Sequence, residues 1–190
     1  MELIILFILL VLYMKLNGNG SPFKTNDLYD IAYELGINYL NIIKKMGIKN
    51  PTVMFDIDDT LLYVNPDNSL SPIKSMIRLL NYCINNNFIV LIITARSYST
   101  LASTIKDLEK NKIHYHHLYL RQSPKDDHSL FKANVKRDYT LHGFNIVMSV
   151  GDNDIDIIGD YSGYSIKLPN KTDPRLFHIN MDSQLENVVP

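Results

Sequence analysis

Apolar and polar positions change period along this chain in a way that outlines its elements. From Asp27 to Met46 the apolar residues Leu28, Ile31, Leu35, Tyr39, Ile42, Ile43 and Met46 recur at helical spacing. Gly47 and Pro51 mark the end of that helix. Thr52 to Ile57 is then a short, almost continuous apolar run of strand type. Asn65-Pro66-Asp67-Asn68 is a turn cluster, and Ser71-Pro72 opens a second predicted helix reaching about Asn86. Phe88 to Ile93 predicts a strand, Thr100 to Asn111 a helix, and Tyr115 to Leu120 a strand. A helix over Ser129–Leu141, a strand over Phe144–Val150 and a short strand over Tyr164–Leu168 complete the series. Apolar strands without polar alternation, separated by helices, predict a parallel sheet covered on both faces. The expected fold class is α/β, a doubly wound, Rossmann-like sheet.

The N-terminal pattern is of another kind. Leu3 to Met14 is almost wholly aliphatic and ends at Lys15. It is shorter than the roughly 20 residues that span a bilayer. It suits the apolar region of a signal peptide, with Gly18 and Gly20 small enough for cleavage before Ser21, although no Lys or Arg precedes it. Residues 1–20 are therefore expected to be a signal peptide or membrane anchor, and 21–190 a single domain. That predicts a secreted or membrane-anchored protein, with membrane association through residues 3–14.

Composition narrows the function. The chain has 190 residues, 46% hydrophobic and 21% charged, which is ordinary for a globular domain. A formal charge of −1 supplies no global attraction to nucleic acid. The single cysteine, Cys83, excludes an intrachain disulfide and cysteine-based zinc sites; it reads as a small buried hydrophobe.

Three predicted strands end in polar groups. These are Asp56-Ile57-Asp58-Asp59-Thr60, Thr94-Ala95-Arg96, and Gly151-Asp152-Asn153-Asp154-Ile155-Asp156. In open parallel sheets ligands bind beyond the carboxyl ends of the strands, so the three groups should converge. Asp56, Asp58, Asp152 and Asp156 in one crevice would repel one another unless a cation sat among them. All-oxygen ligands suit a hard ion such as Mg²⁺. A carboxylate beside such an ion can attack phosphorus. For Thr94 a helix-capping role competes with phosphoryl binding, for Asp156 a capping role with metal contact, and for Arg96 a surface salt bridge with substrate binding. His114 and His116 share a strand face but lack a third ligand, and read as strand edge.

Val53-Met54-Phe55-Asp56-Ile57-Asp58-Asp59-Thr60-Leu61-Leu62 resembles the first motif, DxDx[TV], of the haloacid dehalogenase (HAD) superfamily phosphatases. The resemblance implies a HAD-like fold, Asp56 as nucleophile and Asp58 as general acid and then base. Thr94 matches the second motif, with Thr94, Ala95 and Arg96 around the phosphoryl group. Gly151–Asp156 matches GDxxxD, with Asp152 as metal ligand and Asp156 near the metal. For the motif lysine, Leu130-Phe131-Lys132 and Lys136-Arg137 offer two candidates. Lys132 is preferred because it resembles the lysine of the "YK…R" segment in the class B acid phosphatase branch, which includes plant vegetative storage proteins. Leu118-Tyr119-Leu120-Arg121, His142-Gly143-Phe144-Asn145-Ile146 and Lys167-Leu168-Pro169-Asn170 point to the same branch. The branch usually has glutamate at the position of Asp59 and glutamine at that of Asn153, so substrate preference does not carry over.

Neither the interval from Asp56 to Thr94 nor that from Thr94 to Lys132 has room for a large cap domain, which predicts an open site. The expected function is Mg²⁺-dependent hydrolysis of small phosphomonoesters through an aspartyl-phosphate. One alternative is a nucleic-acid end (3′-)phosphatase, for which Lys132, Lys136 and Arg137 are only a modest basic run. The other is a non-catalytic storage or binding protein, against which the presence of both Asp56 and Asp58 argues. Asn170-Lys171-Thr172 is a glycosylation sequon, read as chance.

Overall fold

The computed structural model describes residues 25–123 and 125–179. In chain order the elements are α1 (Thr25–Met46), β1 (Pro51–Phe55), β2 (Leu62–Val64), β3 (Leu70–Pro72), α2 (Lys74–Asn85) and β4 (Ile89–Ser97). A 3-10 turn (Tyr98–Thr100) leads into α3 (Leu101–Lys110), β5 (His117–Arg121), α4 (His128–Leu141) and β6 (Asn145–Gly151). The short α5 (Asp154–Ile157), β7 (Tyr164–Lys167) and β8 (Phe177–Ile179) follow.

Why the central strands lack polar alternation is visible in their burial. Val53 and Phe55 of β1, with Val90 and Ile92 of β4, join a core that includes Leu40 of α1, Leu79 and Cys83 of α2 and Leu108 of α3. Met54, Leu91 and Ile93 point the other way, into a second core with Tyr139 of α4. Successive residues thus enter different cores, and both positions must be apolar.

The main sheet runs β5-β4-β1-β6-β7-β8. Its first five strands are parallel, and β8 pairs antiparallel with β7. From β1 the chain moves outward to β4 and β5, then returns across the sheet to β6. This reversal opens a crevice at the carboxyl ends of β1, β4 and β6, where the polar groups lie.

Several local expectations shift. Pro72 closes β3 of an antiparallel hairpin, paired with Leu62, and does not open α2. Three-residue strands are too short for a period to reveal them. Ile42 and Met46 fall on the apolar stripe of α1 yet are 46% and 52% exposed. β8 and α5 were not expected either.

The expectation of a secreted or membrane-anchored protein is corrected. Among the described residues no helix is long and apolar enough to cross a membrane. The Leu3–Met14 run on which that expectation rested lies outside the described residues.

Candidate active site

β1 delivers Asp56 directly. Its backbone N–H continues the ladder to β6 by donating to Val150 O at 3.1 Å. The chain then turns sharply: Leu61 and Leu62 N–H both donate to Ile57 O, and Asp59 takes a positive φ of 53°. Asp58 rides on this turn. Thr94 lies buried within β4, its Oγ1 accepting from Arg96 N–H at 3.2 Å. Arg121 of β5 donates to Ala95 O at 3.2 Å and steadies the same stretch.

β6 ends at Gly151, and α5 begins at once. Asn153 caps α5 and Asp156 Oδ2 accepts from Asn153 N–H at 3.0 Å, forming a capping box. Gly151 is required here: a Cβ would stand 2.2 Å from Asp156 Cβ. The predicted structural role of Asp156 is therefore present. Its other oxygen, Oδ1, faces the crevice and accepts from Lys132.

Lys132 reaches across from α4, whose N-terminus is capped by Asp127. Its Nζ donates to Asp56 Oδ1 at 2.6 Å as well as to Asp156 Oδ1. The lysine is 2% exposed. Lys136 is also buried, but it donates to Asp156 O, Ile158 O and Ser162 Oγ and secures the α5 backbone. The two lysine candidates thus divide: Lys132 joins the acidic cluster, and Lys136 supports it from behind.

Asp56, Asp152 and Asp156 offer oxygen atoms within 4.8 Å of one another. Asp152 Oδ2 accepts from Asn153 Nδ2 at 2.9 Å and from Asn170 Nδ2 at 3.2 Å. Asp152 Oδ1 is buried and has no hydrogen-bond partner. A buried carboxylate oxygen without a donor is costly, and a cation would satisfy it. The donor set is all oxygen and fits a hard divalent ion. Asp58 stands outside this cluster, because both its carboxylate oxygens are taken by Arg96. Its expected place as a side-chain metal ligand does not match that arrangement.

Burial lifts the Asp56 carboxyl to about 8, with Asp156 and Asp152 adding to the shift; the Lys132 ammonium opposes it without cancelling it. Burial and Asp156 lift Asp152 to about 6. For Lys132 burial alone would favour the neutral amine, but Asp56 and Asp156 outweigh it and hold the ammonium above the usual lysine range. The crevice is an acidic cluster faced directly by the buried Lys132 ammonium.

The resulting cleft has a volume of about 250 Å³. Asp56, Asp58, Thr94, Ala95, Lys132, Asp152 and Asp156 all line it, whereas Arg96 does not. Asn170, Asn153 and His128 also belong to the site, although their residue types signal no catalytic role. Asn170 lay in the Lys167–Asn170 segment already noted, and its amide now proves to hold Asp152. His128, one helical turn before Lys132, lines the cleft mouth. His116 Nδ1 accepts from Val90 N–H, and His117 packs on Tyr139 and Phe144.

The class C acid phosphatase from Bacillus anthracis superposes with a TM-score of 0.62 at 22% identity, over 78% of this chain and 71% of that one. Its tungstate-bound form gives 0.62 at 21%. The Pnkp1/Rnl/Hen1 complex gives 0.53 at 15%, over 57% of this chain and 41% of that one. At such identities these likenesses establish the α/β fold. No curated protein matches the chain. The model of the HAD superfamily, subfamily IIIB (acid phosphatase), matches residues 63–173, a stretch that holds Thr94, Lys132, Asp152 and Asp156 and begins after Asp56 and Asp58. By that match over more than half its length, the chain belongs to the subfamily IIIB acid phosphatases of the HAD superfamily.

Proposed function

We propose that this phosphatase hydrolyses small phosphomonoesters through an aspartyl-phosphate on Asp56, and that residues 21–190 are its catalytic domain. The observation that carries this reading is the pairing of Asp56 with buried Lys132, beside an Asp152 oxygen that lacks a partner. Asp56, Asp152 and Asp156 would hold Mg²⁺, which supplies positive charge against the phosphoryl oxygens when bound.

A phosphoryl group seated in the cleft meets Thr94 and the backbone at Ala95. Asp56 attacks phosphorus in line with the leaving oxygen. Lys132 offsets charge that spreads over the equatorial oxygens. Asp58 gives its proton to the leaving oxygen as the P–O bond breaks. The resulting carboxylate then takes a proton from water, whose oxygen attacks phosphorus and frees Asp56. The absence of a cap among the described residues suits varied leaving groups.

The test is hydrolysis of p-nitrophenyl phosphate by the full chain with Mg²⁺ and with EDTA, beside Asp56→Asn. The expected result is activity that needs both Mg²⁺ and Asp56. A folded Asp56→Asn protein that retained normal turnover would refute the nucleophile, and inactivity of the wild-type chain on a panel of phosphomonoesters would favour a binding role.

A further inference from the structure

Asp58 reaches the cleft with its carboxylate already gripped. Arg96 donates from Nε to Asp58 Oδ2 at 2.9 Å and from Nη2 to Oδ1 at 2.6 Å. This is the two-pronged fit of a planar guanidinium to a carboxylate. The remaining nitrogen, Nη1, donates to Asp107 Oδ2 at 3.0 Å and reaches Thr104 Oγ1 at 3.4 Å. Asp107 and Thr104 both belong to α3. Asp58 lines the cleft, but Arg96 and Asp107 do not.

All three guanidinium nitrogens are therefore engaged. A phosphoryl oxygen could add to the second Nη2 N–H of this side chain, which is 15% exposed, but could take the fork itself only by displacing a carboxylate. Breaking such a pair leaves a poorly solvated charge behind. The arrangement suits the holding of Asp58 better than the capture of substrate. The second acid matters as well: an arginine anchored at one end can swing, and one anchored by Asp107 presents a fixed fork.

We propose that Arg96 and Asp107 are positioning residues for proton transfer by Asp58, tying the turn after β1 to α3. The proposal rests on the reading of Asp58 as general acid and base. When the Asp58 O–H bond breaks, its proton goes to the leaving oxygen and the electron pair stays on the carboxylate. That anion is the form the Arg96 fork matches. In the second step the same fixed carboxylate takes a proton back from water. Asp107 touches no reacting atom and acts only through Arg96.

The leaving group tests this. Nitrophenolate departs without a proton, whereas an alkoxide needs one. The full chain, as wild type, Asp58→Asn, Arg96→Met, Arg96→Lys and Asp107→Asn, is assayed with Mg²⁺ on p-nitrophenyl phosphate and on an unactivated alkyl phosphate. The quantity read is kcat/KM, which reports steps through departure of the first product. Asp58→Asn and Arg96→Met should lower it about 100-fold on the alkyl ester and only a few-fold on the nitrophenyl ester. Asp107→Asn should show the same asymmetry, about tenfold, and Arg96→Lys should not restore activity because lysine has no fork. Inhibition by inorganic phosphate should stay unchanged in Arg96→Lys and Asp107→Asn, whose positions do not line the cleft.

Equal losses on both esters with weakened phosphate inhibition in Arg96→Met would overturn the proposal and make Arg96 a substrate contact. A symmetric or absent effect in Asp107→Asn, whose side chain is 34% exposed and replaceable without disturbing a core, would overturn the role of Asp107. If Asp58→Asn itself affects both esters equally, the general-acid reading falls and the proposal with it.

Discussion

Replacing Lys132 with methionine isolates what the buried ammonium does. The substitution keeps the side chain's length and apolar stem but removes the charge between Asp56 and Asp156. Taking one partner from a buried ion pair costs about 3–5 kcal/mol. Burial holds the Asp56 carboxyl at about 8, against an ordinary 3.8, even with the ammonium in place.

The sign of the pH dependence follows. A carboxyl with a raised folded pKa favours the folded state below its unfolded pKa, and that contribution is lost as pH rises through the folded pKa. In EDTA the wild type should therefore lose stability between about pH 4 and pH 8, with Asp152 contributing up to about 6. Lys132→Met should carry the loss to higher pH, because the ammonium no longer pulls Asp152 and Asp56 down. The assay is urea unfolding of both proteins in EDTA at pH 4.5 and pH 7, repeated at pH 7 with millimolar Mg²⁺. The expected deficit at pH 7 is about 3–5 kcal/mol, a fall of roughly 10 °C in Tm. It should shrink at the lower pH, and Mg²⁺ should recover part of it by replacing the lost cation. An unchanged stability at pH 7 in EDTA, or a deficit of equal size at both pH values, would refute the idea that Lys132 balances charge.

Asn170→Ala removes the donor to Asp152 O at 2.7 Å and to Asp152 Oδ2; Mg²⁺ affinity, read from the Mg²⁺ dependence of Tm, should fall about 10–100-fold. Gly163 has a φ of +64° and a Cβ there would lie 2.4 Å from the Val147 carbonyl, whereas Gly47 has a φ of +67° and open space. In urea titrations Gly163→Ala should therefore cost more than about 3 kcal/mol and Gly47→Ala about 1–2 kcal/mol; similar losses would refute the contact. Burial lowers Lys136 to about 8, and Lys132 adds to that shift, so the unfolded chain holds this proton more tightly between about 8 and 10.5. The Lys136 contribution to stability should thus grow as pH rises through that window, a slope absent from Lys136→Met in denaturant titrations.

Much of the site was legible because its chemistry sits at the ends of apolar runs. Phe55 precedes Asp56, Ile93 precedes Thr94, and Val150 precedes Gly151-Asp152. A parallel sheet places such ends side by side whatever their separation in sequence. Lys132 was chosen by resemblance, since nothing in the spacing of α4 separates it from Lys136, which is equally buried one turn later. Asp107 carried no signal at all: it is one acid on an ordinary amphipathic helix. The β2–β3 hairpin was missed because three residues cannot display a period, and Pro72 looked like a helix opening when it is the last residue of a strand.

What the chain determines locally is the set of elements and the kind of atom each strand delivers: a carboxylate, a hydroxyl, and a glycine with room behind it for Asp156. Periodicity and burial suffice for that, because they act through neighbours in sequence. What the tertiary structure decides is partnership. Asp56, Asp58, Asp152 and Asp156 are one residue type and look equivalent on paper. Packing gives Asp56 and Asp156 to Lys132, Asp152 to Asn153 and Asn170, and Asp58 to Arg96. Coulombic and hydrogen-bond energies depend on separations of a few ångströms between residues far apart in the chain, and only the folded sheet sets those separations.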